Sequence, residues 1–571
     1  MRRRRQYIVV RRGAEDEGNA VIVFNANWDK DKAPDIGALS FLSHIDGWRW
    51  IASFFALLVL IPLGVIFSSL LVPDFATWQH LLDYVLFDLI INTLVLCLAV
   101  GIGVTFIGVT LAWLTAVCEF PGRKFFSWAL VLPLAIPAYV SAFVMLGIFD
   151  FTGPLQQFLG DGWLLPNVRS IGGLVIVMTL ALYPYVYLLA RNAFLTQGKR
   201  ALEVAQTLGR SEAQGFFSVS LPLARPWIIG GLSLAIMEVL ADFGTVSVFN
   251  YDTFTTAIYK TWFSMFSIEA AAQLASLLTL VVLIALFLEY RSRMELRHYS
   301  PGKSPARIER IRLSRPLSVL AWVFASVVWV LAFLIPVIQL GFWAAGFVET
   351  DLDARYWGFL SHSLMLAGLA AALITTCALL LAYARRKHND VYTRTAVQLA
   401  ILGYALPGAV IAVGIFIPVV WLDGLWRTWM NWLSFNPSIA LQGTLLIMLL
   451  AYLVRFLAVA YTPLDSAMQR ITQSIDDAAR SLGVGGFKML RQLHAPILRG
   501  GLFSAALLIF IEVMKEMPIT LMTRPFGWDT LSIRIFEMTS EGQWEQAALP
   551  ALALILAGLL PIILLTRQGE R

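Results

Sequence analysis

The sequence predicts an all-α, polytopic membrane protein of about twelve transmembrane helices in two pseudo-symmetric halves of six. Three observations carry that reading. Of 571 residues, 58% are hydrophobic and 14% charged, with a mean hydropathy of +0.72, whereas soluble domains average about 25% charged. Apolar runs of roughly 20 residues, the length that crosses a bilayer, recur along the whole chain. Lys and Arg collect in alternate loops, so the net charge of +6 reports topology and implies no nucleic-acid partner. A large soluble helical protein does not fit these hydropathy criteria.

Residues 1–46 read as a cytosolic N-terminal arm. Arg2–Arg5 are followed by a polar stretch, not by the apolar core of a cleaved signal peptide. Val21–Phe24 reads either as a short strand or as nothing regular. The first half, 47–290, offers crossings at approximately 50–72, 86–116, 125–149, 171–190, 227–249 and 270–288. A basic linker, 291–316, follows; Pro301 and Gly302 argue against one continuous helix, and its charge suits anionic lipid headgroups. The second half, 317–571, offers crossings at approximately 317–345, 358–384, 395–422, 441–459, 501–523 and 546–566. Cys97, Cys118 and Cys377 are scattered and read as small core residues, not as a disulfide frame or a zinc site.

Orientation comes from the loops. Arg123 and Lys124 lie between the second and third crossings, Arg191, Arg210 and Arg225 between the fourth and fifth, and Arg385, Arg386 and Lys387 continue the alternation. The intervening loops carry Asp74, Asp150, Asp161 and Asp351 instead. This bias places both termini in the cytoplasm.

The halves read as a parallel repeat around a pseudo-two-fold axis along the membrane normal, with a path between them. Pro137 in LPLAIPAYV matches Pro407 in LGYALPGAV. Glu238 and Asp242 match Glu512 and Glu516 at an offset of 274 (512 − 238). A cytoplasmic loop repeats at that same offset (477 − 203): Glu203 to Pro226 in the first half and Asp477 to Gly500 in the second. In the first copy, helix formers from Lys199 lead to Gly209, suited to the left-handed end of a helix. Ser211 with Gln214 reads as a capping box, and Pro222 as the break before the next crossing. In the second copy Gly483 ends the first helix, Gly485 and Gly486 permit the turn, and Pro496 closes it. Each half thus projects two short helices at an angle.

This repeated stretch resembles the "EAA" loop of permeases in binding-protein-dependent ABC importers, whose pattern is an acidic residue and Ala, then Gly, then a hydrophobic-Pro pair. Glu203, Ala205, Gly209 and Pro222 carry it in loop 199–226; Asp477, Ala479, Gly483 and Pro496 carry it in loop 473–500. Val204, Asp477 and Ala495 depart from the usual residues and leave the Gly and Pro in place. The resemblance implies that these residues couple the chain to two copies of an ABC ATP-binding subunit, and that a substrate-binding protein delivers cargo on the outer side. It implies a multi-pass protein of the bacterial cytoplasmic (inner) membrane, in contact with membrane lipid. The chain holds no GxxxxGK[ST] motif. It is therefore expected to be no enzyme and to bind no cofactor itself, with ATP and Mg on the partner subunits.

Glu238, Asp242, Glu512 and Glu516 are candidates for a translocation path or gate. Residues four apart share a helix face, intramembrane charge is costly, and hard cations take oxygen ligands. The bland alternative is that Glu238 and Glu512 hydrogen-bond neighbouring helices while Lys515 neutralises Glu516. Whether any metal is ligated is left open. The segments Ala241–Trp262 and Lys515–Met538 resemble those of ferric-iron ABC permeases, likewise fused two-half chains, which implies ferric iron (Fe3+) as cargo. Thiamine or another small solute is the alternative within the family. A gradient-driven secondary transporter and a membrane scaffold are the alternatives outside it.

Overall fold

In hydrocarbon a backbone must satisfy its own polar groups, so long apolar runs are driven into helices. The computed structural model describes residues 47–71, 75–160, 166–198, 207, 209, 211–294, 310–432 and 441–569. The arm at 1–46, with Val21–Phe24, and most of the linker lie outside them. Ten helices of the first part of the chain frame the argument: α1 (Gly47–Ser68), α2 (Leu86–Val117), α3 (Arg123–Ala129), α4 (Ala138–Ile148), α5 (Ile171–Ala193), α6 (Leu221–Ala241), α7 (Gly244–Val248), α8 (Phe254–Phe263), α9 (Ile268–Met294) and α10 (Arg315–Trp329). The rest supplies α11 (Ile335–Asp351), α12 (Ala354–Lys387), α13 (Val391–Ala400), α14 (Gly408–Trp432), α15 (Leu445–Gln469), α16 (Gln473–Ser481), α17 (Arg499–Lys515), α18 (Pro518–Thr523), α19 (Leu531–Ser540) and α20 (Ala548–Gly569). Among the described residues the one strand pair is β1 (Cys118–Glu119), parallel to β2 (Ile311–Arg312). Arg310 lies 3.9 Å from Glu119 beside it, which ties the end of the linker to the first half.

Nine described helices are long and apolar enough to cross a membrane. Two bent pairs bring the number to eleven: Arg123–Ala135 with Ala138–Ile148, at 90°, and Gly486–Ile497 with Arg499–Lys515, at 81°. Ala548–Leu559 is a shorter apolar helix, so the expected twelve is reached only if that segment is counted. The third crossing of each half breaks for a local reason. A proline pushes the residue before it out of the helical region. Ile136 before Pro137 has φ −94° and ψ 120°, and Leu406 before Pro407 has φ −83° and ψ 134°, each following a single 3₁₀ turn.

The crossings are apolar on two faces. On α2, Leu94, Leu98, Ile102 and Phe106 form an exposed stripe at four-residue spacing, while Leu89, Leu96, Val100, Val104 and Leu111 are buried. A helix in water would not expose that stripe; one facing lipid does. Cys97, Cys118 and Cys377 form no disulfide among the described residues.

The core of each half is completed by the other. Trp48, Ala52, Phe55, Val59 and Leu63 of α1 belong to the hydrophobic cluster of the second half. Ala321, Ala325 and Val328 of α10 belong to that of the first. Arg49 pairs with Asp390 at 2.5 Å across the same seam. Gly414 of α14 lets α1 approach: a Cβ there would lie 2.6 Å from Ile66 Cδ1 and 3.1 Å from Pro62. Gly414→Leu should overpack this contact at a cost of about 1–3 kcal/mol. A lowered thermal midpoint of the detergent-solubilised protein is the expected result; an unchanged midpoint would mean that α1 does not seat there.

Candidate functional site

Two regions concentrate polar side chains on this apolar frame. The first is a cavity of about 140 Å³ between the halves. Its lining includes Glu238, Asp242, Glu512 and Glu516, so the fold brings together all four carboxylates singled out in the sequence, with Arg455 and Lys515 beside them.

The geometry differs from a shared helix face. α6 ends at Ala241, and Asp242 is extended at φ −67° and ψ 130°. α17 ends at Lys515, and Glu516 is extended at φ −69° and ψ 123°. The freed carboxylates turn onto the backbone that follows. Asp242 accepts from Val246 N at 3.1 Å and from the Thr245 hydroxyl at 2.8 Å. Glu516 accepts from Ile519 N at 2.9 Å. Each satisfies donors at the start of α7 or α18 that no helix bond reaches. The carbonyls repeat the symmetry: Thr255 donates to Asp242 O at 2.6 Å, and Ser532 to Glu516 O at 3.0 Å.

The cations also depart from expectation. Lys515 Nζ lies 3.9 Å from Glu512 and donates to Leu134 O of the first half at 3.1 Å. It is Arg455 of α15 that sits 3.8 Å from Glu516. The Tyr404 hydroxyl donates to Glu238 at 3.5 Å. Arg455 was missed by the sequence reading, although an arginine within the run LLIMLLAYLVRFLAVAY is itself a signal, since intramembrane charge rarely lacks a role. Among the described residues, no three His, Cys, Asp or Glu side chains converge to hold a metal ion.

The second region is the repeated loop. In the first half Glu203 and Ala205 lie outside the described residues. Gly209 has φ +77°, and Ser211 and Gln214 form the reciprocal capping box at 3.1 and 3.3 Å. Pro222 does not break the chain there. A π turn over Phe216–Ser220 leads straight into α6, with Pro222 in its first turn, where no N–H is needed.

The second loop is described throughout. Gly483 has φ +74°; Val484 N bonds Ala479 O at 2.9 Å and Gly483 N bonds Arg480 O at 3.0 Å, the paired bonds of a Schellman cap. Pro496 lies at the 81° bend before α17. Asp477 is exposed and paired with Arg480 at 2.9 Å. The buried acid is its neighbour Asp476, held by Arg386 at 2.8 Å and by His494 at 2.9 Å. Arg386 also donates to the carbonyls of Met468 at 2.8 Å and Ile471 at 3.0 Å, and Tyr383 donates to Gly486 O at 3.0 Å. The loop is thereby fixed to the end of α12. At its apex Leu482 and Phe487, 82% and 62% exposed, are the most exposed large apolar side chains of the loop.

Both regions lie within the segments that match one family of known proteins. The family model described as "Binding-protein-dependent transport system inner membrane component" matches twice, at residues 105–291 and 374–570. The Fe(3+)-transport system permease protein FbpB 2 of Haemophilus influenzae is 31% identical over 489 residues, covering 84% of this chain and 90% of that protein. The sulfate transport system permease protein CysW of Escherichia coli is 31% identical over 41% of this chain and 82% of its own length. The putative 2-aminoethylphosphonate transport system permease protein PhnV of Salmonella typhimurium is 28% identical over 44% of this chain and 94% of its own length.

Proposed function

Because the chain belongs to the binding-protein-dependent transport system inner membrane components, as a fused pair of permease halves, we propose that it translocates ferric iron in an ATP-driven importer. Cargo arrives from a binding protein on the outer side and crosses between the halves. Loops 199–226 and 473–500 each dock one ATP-binding subunit, two per chain, and both termini face the cytoplasm. ATP and Mg are bound and hydrolysed on those subunits, and this chain holds no cofactor. The observation that carries the cargo assignment is the likeness to a ferric permease along 84% of the chain, across both halves; the sulfate and phosphonate permeases align with less than half.

The mechanism follows from differential affinity. Nucleotide that binds the closed pair of ATPases more tightly draws the loops together, and only that difference can shift the permease between outward- and inward-open states. Leu482 and Phe487 supply apolar anchors for the groove of such a partner. The 17 residues of α17 then span about 25 Å from the loop to Lys515, so motion at the loop reaches the cavity through one rigid element.

The test is uptake into proteoliposomes holding the chain, its ATPase and its outer receptor, with ferric ion and thiamine compared. ATP-dependent ferric uptake is expected with the proton gradient collapsed. Gradient-dependent, ATP-independent uptake would remove the importer reading, and thiamine uptake alone would replace the cargo. Glu238→Gln with Glu512→Gln should lower ferric uptake about tenfold, the effect of losing charge-assisted contacts along the path. Unchanged kinetics would retire those two residues from the path.

A further inference from the structure

The charge in the cavity is mixed in a way that a bare cation does not explain. Among the described residues, Arg455 Nε and Nη1 are buried without a hydrogen-bond partner, the nearest carboxylate, Glu516, lying 3.8 Å from Nε, and the Tyr139 hydroxyl on the same lining is likewise unbonded. Buried donors left unpaired are costly and rare, and a guanidinium in that state is matched by the paired oxygens of an oxyanion. Asp242 and Glu516 already spend oxygens on the backbone of α7 and α18. No three His, Cys, Asp or Glu side chains converge on a metal among the described residues. A hard cation passing here must therefore keep oxygen ligands that the protein does not supply.

The asymmetry of the repeat points the same way. Arg455 occupies the position of Tyr185 at the offset of the two broken crossings (455 − 185 = 407 − 137), and Lys515 that of Ala241 (515 − 241 = 274). Both cations thus come from the second half, and both add repulsion toward a naked trivalent ion.

We propose that the cavity receives the ferric ion as a complex with a small oxyanion of the phosphate type, Arg455 and Lys515 holding the anion and Glu238 and Glu512 facing the metal. This rests on the ferric reading above.

The experiment is double-label uptake in the same proteoliposomes, with ⁵⁵Fe presented in the presence of ³²P-phosphate and, in a parallel arm, of ¹⁴C-citrate. The expected result is ATP-dependent entry of both ⁵⁵Fe and ³²P in fixed ratio, with little citrate. Arg455→Gln paired with Glu516→Gln, which leaves no orphaned charge, and Lys515→Gln alone should each lower ³²P entry about tenfold or more, as expected for one charge-assisted bond. Gel filtration of the assembled complex checks that both variants fold. Entry of ⁵⁵Fe with neither anion, and indifference to both variants, would overturn the oxyanion complex while leaving ferric transport standing. Entry of ⁵⁵Fe with citrate and not phosphate would overturn the small-anion assignment. Entry of ³²P without ⁵⁵Fe would overturn the ferric reading and, with it, this inference.

Discussion

Gly483→Pro should separate ATP hydrolysis from transport while leaving the spans folded. Gly483 has φ +74° and donates its N–H to Arg480 O. Proline fixes φ near −65° and has no N–H, so both the turn and one bond of the Schellman cap are lost, at about 3 kcal/mol or more. That shifts the loop's conformational equilibrium on the order of a hundredfold. Gly209→Pro meets the same obstacle at φ +77°. Among the described residues nothing lies within 4 Å of a Cβ at either position, so the expected effect is that of the backbone. The measurement is ATPase activity against ferric uptake in the reconstituted complex. Uptake is expected to collapse, with hydrolysis no longer answering to the outer receptor. Normal coupling in both variants would remove the docking role from these loops.

Arg386→Ala should release loop 473–500 from the membrane-spanning body. It deletes the ion pair with Asp476 and the bonds to the carbonyls of Met468 and Ile471. Removing one partner of a buried pair costs about 3–5 kcal/mol, because the other charge stays behind. Hydrogen exchange over residues 473–486 is the measurement, and protection should fall about a hundredfold or more. Unchanged protection would mean that the loop is held elsewhere. The pH dependence has a definite sign. Burial pushes the Asp476 carboxyl up, but hydrogen bonds from Arg386 and His494 outweigh it and hold the group below the usual carboxylate range. Its contribution to holding the loop is therefore complete above that range and is lost as pH falls through the depressed folded value.

Much of the site was legible because it is written locally. A glycine that needs positive φ, a serine and a glutamine three apart, and a proline that unwinds its predecessor act within one turn of chain. Gly209, Gly483 and the Ser211–Gln214 box all appear as the sequence suggests, whereas the crossings drawn straight through Pro137 and Pro407 are broken there. The reading of Glu238 and Asp242 on one helix face was local too, and it failed where a side chain competed with its own backbone. Nothing in a four-residue spacing reveals that α6 stops at Ala241 so that Asp242 can satisfy α7. Asp476 and Asp477 are indistinguishable as neighbours; burial separates them, and that burial comes from Arg386 at the end of α12 and from His494, 18 residues further on.

By itself the sequence determined that the chain is helical, crosses a membrane many times and carries one plan twice, since hydropathy, loop charge and a constant offset are properties of residue order. Tertiary structure alone decided which partners those residues take. α1 completes the core of the second half and α10 that of the first. Arg455 meets Glu516 across 61 positions (516 − 455), and Lys515 meets Leu134 across 381. Contacts at such separations leave no periodicity in the chain. They exist because burying a charge in an apolar body is tolerable only beside another polar group, and packing determines which one is within reach.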